Sequence, residues 1–173
     1  RIMIQPTIRL AENKDLPSIQ MLAKKIWPAA YGHILSTGQI EYMLELMYSH
    51  ESLEQQMSAS HHVFLILDFD AHPSGFASYS IPAGGKKGKL HKIYIDQELQ
   101  GKGLGKSLLE EVTRRVRSGG CTILQLDVNR QNKARSFYEK QGFKVTSEKD
   151  TDIGNGFVMT DYVMEKGIED GRW

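Results

Sequence analysis

The chain has one cysteine, Cys121, among its 173 residues. No internal disulfide can form, so a core must hold the fold together, and a reducing compartment is expected. Long apolar runs are missing too. The longest, Val63 to Leu67, falls far short of the roughly 20 residues that a membrane-spanning helix needs. The N-terminus lacks the charged-then-apolar layout of a secretion signal, which points to the cytoplasm. Neither sign of charge is in excess. A formal net charge of +1 gives no global attraction to nucleic acid or to a membrane surface. The six histidines are scattered, and His61–His62 is an adjacent pair rather than two ligands on one helix face, so no metal site is expected.

What is present is ordinary for one globular domain: 40% hydrophobic and 25% charged residues. Thr7 to Leu10 reads as a short strand. Leu16, Ile19, Leu22, Ala23, Ile26 and Ala30 then keep a helical period, with Asn13 or Asp15 as cap and Pro28 as a stop or kink. Ser36 and Gln39 form a capping-box pattern before Ile40, Met43, Leu44 and Met47, and a short third helix carries Leu53 and Met57. From His62 the period becomes strand-like, predicting a meander that ends in Leu90 to Ile95. A helix stopped by Gly119-Gly120 follows. After it come a strand ending at Asn129, a helix over 132–141, and strands over 143–148 and 156–165. The tail 167–173 reads as frayed, with Trp173 free to dock. This order predicts an α+β fold, mostly antiparallel, with one parallel step.

The informative stretch is Gln100-Gly101-Lys102-Gly103-Leu104-Gly105-Lys106-Ser107, between a strand and an amphipathic helix. The first N–H groups of a helix have no internal partners, and its dipole favours negative charge there. Glycines let backbone approach an anion, and Lys102 and Lys106 add positive charge. The turn is therefore expected to hold a phosphorylated ligand. It nearly fits the Gly-x-x-x-x-Gly-Lys-Ser loop of nucleotide hydrolases, but Gln100 stands where the first glycine belongs. A dinucleotide fingerprint fits worse, with Lys106 at its third glycine.

Gln100-x-x-Gly103-x-Gly105 resembles the pyrophosphate-binding motif of the GNAT superfamily of N-acetyltransferases. So does the later segment Asn132-Lys133-Ala134-Arg135-Ser136-Phe137-Tyr138, which ends at Gly142-Phe143 and has that family's order and separation. The resemblance implies a single-domain GNAT-like fold over residues 1–166: a mostly antiparallel mixed sheet, helices on both faces, and a splayed central strand pair. It implies acetyl-CoA as cosubstrate and direct transfer to a primary amine in a ternary complex. The diphosphate would lie on the backbone of Gln100, Gly101, Lys102, Gly103, Leu104, Gly105 and Lys106, with Ser107 adding its hydroxyl. The rest of the cofactor would pair with Ile93, Tyr94 and Ile95, and Asn132 would touch it from the next helix.

Tyr138 would give a proton to the departing thiolate, because a phenol near pKa 10 stays protonated at neutral pH. His91 shares alternation parity with Ile93 and Ile95 and is the candidate base; His33, Glu41 and Asp127 are weaker ones, and a water chain is an alternative. Trp27, Tyr31 and Glu41, on the helices after the first strand, would meet the acceptor. Trp27 to Leu44 resembles the bacterial spermidine/spermine acetyltransferase branch, which makes a polyamine the leading acceptor. A peptide amine, an amino acid and an aminoglycoside stay open. The alternatives to an enzyme of this kind are a non-catalytic CoA-binding regulatory module and a P-loop nucleotide hydrolase. A monomer or homodimer is expected, with no nucleic-acid or membrane partner.

Overall fold

The computed structural model describes residues 4–169. Its elements are β1 (Thr7–Leu10), α1 (Leu16–Tyr31), α2 (Thr37–Tyr48), α3 (His50–Ser58), β2 (Val63–Phe69), β3 (His72–Ser80), β4 (Lys87–Ile95), α4 (Leu104–Ser118), β5 (Ile123–Asn129), α5 (Ala134–Lys140), β6 (Lys144–Gly154) and β7 (Phe157–Gly167). The seven strands form one sheet in the order β1-β2-β3-β4-β5-β7-β6. Neighbours are antiparallel except β4 and β5, which α4 joins in parallel. The α+β class, the mixed sheet and the single parallel step are those the sequence implied.

Each face of the sheet is covered by helices whose apolar stripe the sequence shows. Leu104, Leu108, Leu109, Val112 and Val116 of α4 pack on Leu65, Leu67, Leu90, Leu124, Leu126 and Met164. On the opposite face Leu16, Ile19, Leu22, Ala23, Ile26 and Trp27 of α1 join Ile40 and Met43 of α2, Leu53 of α3, and Phe64, Ile66 and Phe76 of the sheet. Each large side chain fully buried in this way contributes roughly 1.5–3 kcal/mol. Gly88 lets β4 pass close under α4, where a Cβ would run into Val116.

Several local expectations change. Asp15 precedes α1 but does not cap it with its side chain; its carboxylate takes two bonds from Arg9 and one from the Glu12 N–H. Pro28 does not end α1, which continues to Tyr31. Ser36 does cap α2 through the Gln39 N–H, but the Gln39 side chain bonds the Val158 carbonyl instead of reaching back. The last two strands are longer than expected, and Ile168 is buried beyond the end of β7, its N–H donating to the Thr122 carbonyl. The tail expected to fray from Gly167 is instead held at Gly167 and Ile168, and Trp173 lies outside the described residues.

One irregularity shapes the centre. Ser78 pairs with Lys92 and Tyr79 with Leu90, so His91 is an extra residue in β4. Such a bulge bends its strand and breaks the alternation of faces. The parallel ladder with β5 stops at Leu90–Leu126. Beyond it, His91 to Ile95 and Asp127 to Asn129 diverge, while each strand keeps its other neighbour.

Candidate active site

The divergence opens a cavity of about 820 Å³, lined from both faces of the sheet. At one end is the glycine turn. Gly101 and Gly103 take φ of +84° and +74°, conformations that L side chains rarely adopt, and a Cβ on either would meet nothing. Gly103 is the N-cap of α4, and no side chain caps this helix. The serines that cap α2 and α3 have no counterpart here. Free N–H groups and the positive end of the dipole therefore face outward, the chemistry a diphosphate needs.

The cavity then runs between the unpaired edges of β4 and β5. Its wall on the α4 side holds Ile93, Ile95, Leu126, Val128, Ala134, Phe137 and Tyr138. Unpaired backbone groups on β4 offer donors and acceptors to an extended ligand, as a missing strand would. Tyr138 is buried, and burial raises its phenol well above the usual value, so it is fully protonated at neutral pH. No hydrogen bond ties that hydroxyl to another described residue.

The other face supplies four aromatic rings. Trp27 lies 4.6 Å from Tyr31, 5.8 Å from Tyr48 and 6.0 Å from Tyr94, measured between centroids. The Tyr31 and Tyr94 hydroxyls are hydrogen-bonded at 2.8 Å. The Trp27 Nε1 and the Tyr48 hydroxyl are buried without hydrogen-bond partners among the described residues. Burial raises the phenols of Tyr31, Tyr48 and Tyr94. Met159 and Asp161 of β7 close this side.

The structure brings most of the predicted site residues together. Ile93, Tyr94, Ile95, Gln100, Gly101, Gly103, Leu104, Gly105, Lys106, Asn132, Tyr138, Trp27, Tyr31 and His91 all line the cavity. Lys102, Ser107 and Glu41 do not. Lys102 leans over the Phe69 ring. Ser107 is half-buried in the first turn of α4, where its N–H is taken by the Gly103 carbonyl. Glu41 is on the exposed side of α2, because Ile40, Met43 and Met47 turn inward and leave it a helical step away; Gln39 lines the cavity instead. His33 is exposed beyond α1.

His91 is the main correction. The bulge puts it out of phase with Ile93 and Ile95, which pack toward α4. Its ring stacks on His62, centroids 3.8 Å apart, and its Nε2 bonds Ser80 Oγ at 2.7 Å. Burial, with the neighbouring His62 and lysines adding to it, pushes its pKa down to about 3. A ring so held is a poor proton acceptor at neutral pH.

Two buried ionisable groups escaped the sequence reading. Lys92 projects between Tyr48 and Phe64, bonds Gln56 Oε1 at 2.7 Å, and is pushed down to about 8 by burial. Asp161 is 4% exposed and lines the cavity. The signal for it was a lone acid inside the apolar run Phe157 to Met164. Among the described residues, no group of three or more His, Cys, Asp and Glu side chains is placed to hold a metal ion.

A family model described as an acetyltransferase (GNAT) domain matches residues 34–166. The chain belongs to the GNAT acetyltransferase family. Its cosubstrate is therefore acetyl-CoA, and the nucleotide-hydrolase reading of the glycine turn falls away. A spermidine N(1)-acetyltransferase of Thermoplasma acidophilum is 33% identical over 167 residues, 94% of this chain and 97% of that protein. The crystal structure of the PaiA N-acetyltransferase from the same organism, in complex with coenzyme A, is similar with a TM-score of 0.80 and 32% identity, covering 94% of this chain and 99% of that one. The ribosomal-protein-S18-alanine N-acetyltransferase from Escherichia coli has a TM-score of 0.72 at 20% identity, covering 96% of each chain; that likeness shows the fold alone.

Proposed function

We propose that this GNAT N-acetyltransferase acetylates a cationic alkylamine, with a polyamine such as spermidine as acceptor. The observation that carries the reading is the acceptor side of the cavity: four aromatic rings and one buried carboxylate. Aromatic faces attract a cation, and a carboxylate in a dry wall attracts it more strongly. The spermidine acetyltransferase with which the chain shares 33% identity along nearly all its length supports the same acceptor class.

Acetyl-CoA supplies an acyl group on a thioester. The backbone of Gln100 to Lys106 holds the diphosphate at the N-terminus of α4, with Asn132 beside it and Lys106 adding charge; Lys102 and Ser107, off the cavity wall, play a lesser part. Ile93, Tyr94 and Ile95 offer backbone groups to the extended arm. A backbone N–H near Ile95 polarises the thioester carbonyl, and Tyr138 protonates the departing sulfur. Trp27 and Tyr31 hold the amine.

The test is thiol release from acetyl-CoA across a panel of spermidine, spermine, a lysine peptide, a peptide with a free N-terminus, an amino acid and an aminoglycoside. Spermidine or spermine is expected to give the highest kcat/KM. A peptide or aminoglycoside turned over faster rejects the polyamine. Tight CoA binding with no release for any amine favours a regulatory module.

A further inference from the structure

An alkylamine near pKa 10 enters the site as an ammonium and must lose a proton before it can attack a carbonyl. The groups on the cavity wall narrow the choice of acceptor for that proton. His91 is held by Ser80 and His62. Lys92 is bonded to Gln56, and Asp127 is bonded to both Lys89 and Lys149. Asp161 stands apart: it is nine-tenths buried, and no described residue donates a hydrogen bond to its side chain. It is paired in register with Asn129, the last residue of β5, at the mouth of the divergence. Its face of β7 is that of Met159, turned toward Trp27, Tyr31 and Tyr94.

Resting on the reading of a cationic amine acceptor, we propose that Asp161 binds the reacting ammonium and takes its proton. One N–H bond breaks and an O–H bond forms on the Asp161 carboxylate. The amine lone pair then makes the C–N bond, the C–S bond breaks, and the sulfur takes the Tyr138 proton. The surplus proton on the new amide nitrogen restores Tyr138, and the proton on Asp161 leaves to solvent. One proton is released per turnover, as the overall reaction requires.

The surroundings suit the role. Burial raises the Asp161 carboxyl to about 6, with Asp127 of β5 adding to the rise. Lys89 of β4, Lys149 of β6 and Arg130 after β5 oppose it, and Tyr31 of α1 faces the same space with a neutral phenol. A base is most effective with a pKa near working pH, and a carboxylate reaches that range when its site is dry.

The test is the pH profile of kcat/KM for Asp161→Asn, with whichever amine of the panel is turned over best. The parent is expected to rise through pH ~6 and then level off, because it uses the ammonium form. The variant is expected to climb about tenfold per pH unit toward the amine pKa, because it must wait for free amine; near pH 7 the deficit is about 10²–10³-fold. Asp161→Glu should regain part of it. Unchanged melting temperature and unchanged stabilisation by acetyl-CoA exclude misfolding. A parent-like profile in Asp161→Asn overturns the proposal, whichever amine is best, whereas a non-polyamine acceptor overturns only the choice of substrate. If no amine is turned over, carbon-13 NMR of the Asp161 carboxyl in the CoA complex decides: a midpoint near 6 that moves on adding spermidine supports the role, and an ordinary midpoint of about 4 overturns it.

Discussion

His62 and His91 stack face to face, 3.8 Å between ring centroids and 10° from parallel, across the bulge that opens the active-site cavity. Both rings are held neutral, chiefly by burial, with nearby lysines contributing. Their folded pKa values are below the ordinary one, so the unfolded chain binds protons more readily. The pair's contribution is complete above pH ~6.5 and is lost as the pH falls toward the folded value, about 3 for His91. Urea unfolding from pH 8 to pH 4 should show stability falling on the acid side, and His91→Gln should flatten that slope. If His91→Gln instead leaves the slope alone and cuts kcat by orders of magnitude, the ring is the base after all.

Tyr138 has a free hydroxyl at the cavity wall and a phenol kept protonated by burial. Tyr138→Phe keeps the packing against Phe137 and Phe143 and removes only the proton donor. A fall in kcat of about 10²-fold, the lower range for general acid catalysis, is expected with little change in the KM for acetyl-CoA. An unchanged kcat in steady-state assays would remove Tyr138 from the mechanism.

These sites differ in how far the sequence reveals them. The glycine turn and the Asn132–Phe143 segment carry their chemistry in residue type and spacing, and they sit on the cavity as their order implies. The face of His91 was hidden, because a bulge inserts one residue and inverts every parity argument across it. β6 runs past the expected 148 to Gly154: Lys149, Asp150 and Asp152 are exposed, so no apolar run marks this half, and only pairing with β7 makes it strand. Glu41 was read by type alone, and its helical phase sends it to solvent. Asp161 lies thirty residues or more from every motif in the chain except the Asn132–Phe143 segment; only sheet pairing brings it to Asn129.

Arg9 ties β1 to the start of α1. Its guanidinium bonds both Asp15 oxygens at 2.9 and 3.0 Å and Asp68 at 2.7 Å. Asp15 is buried and Arg9 is partly exposed, so solvent screens the pair in part. Arg9→Met strands a buried carboxylate and should cost about 1–3 kcal/mol at pH 7 in urea unfolding. The Arg9 bonds hold the Asp15 carboxyl below its usual range. That stabilisation is present above pH ~4 and lost as pH falls through the folded value, so the cost of the substitution should shrink in acid. A cost that is the same at pH 3 and pH 7 would assign Arg9 to packing alone.

Gly103 separates binding from chemistry. It takes φ +74° at the N-cap of α4, and the space around its Cα is open. Gly103→Ala therefore meets no clash, and its cost is backbone strain of about 1–2 kcal/mol in the left-handed region. The chain can escape that strain only by rotating the turn, which re-aims the free N–H groups at the start of the helix. Stabilisation by CoA in thermal unfolding should weaken, and the KM for acetyl-CoA should rise about tenfold, the equivalent of 1.4 kcal/mol. Because neither Tyr138 of α5 nor Asp161 of β7 belongs to the turn, kcat at saturating acetyl-CoA and the shape of its pH profile should hold. A variant that loses kcat in proportion would place the glycine turn in the chemical step rather than at the handle of the cofactor.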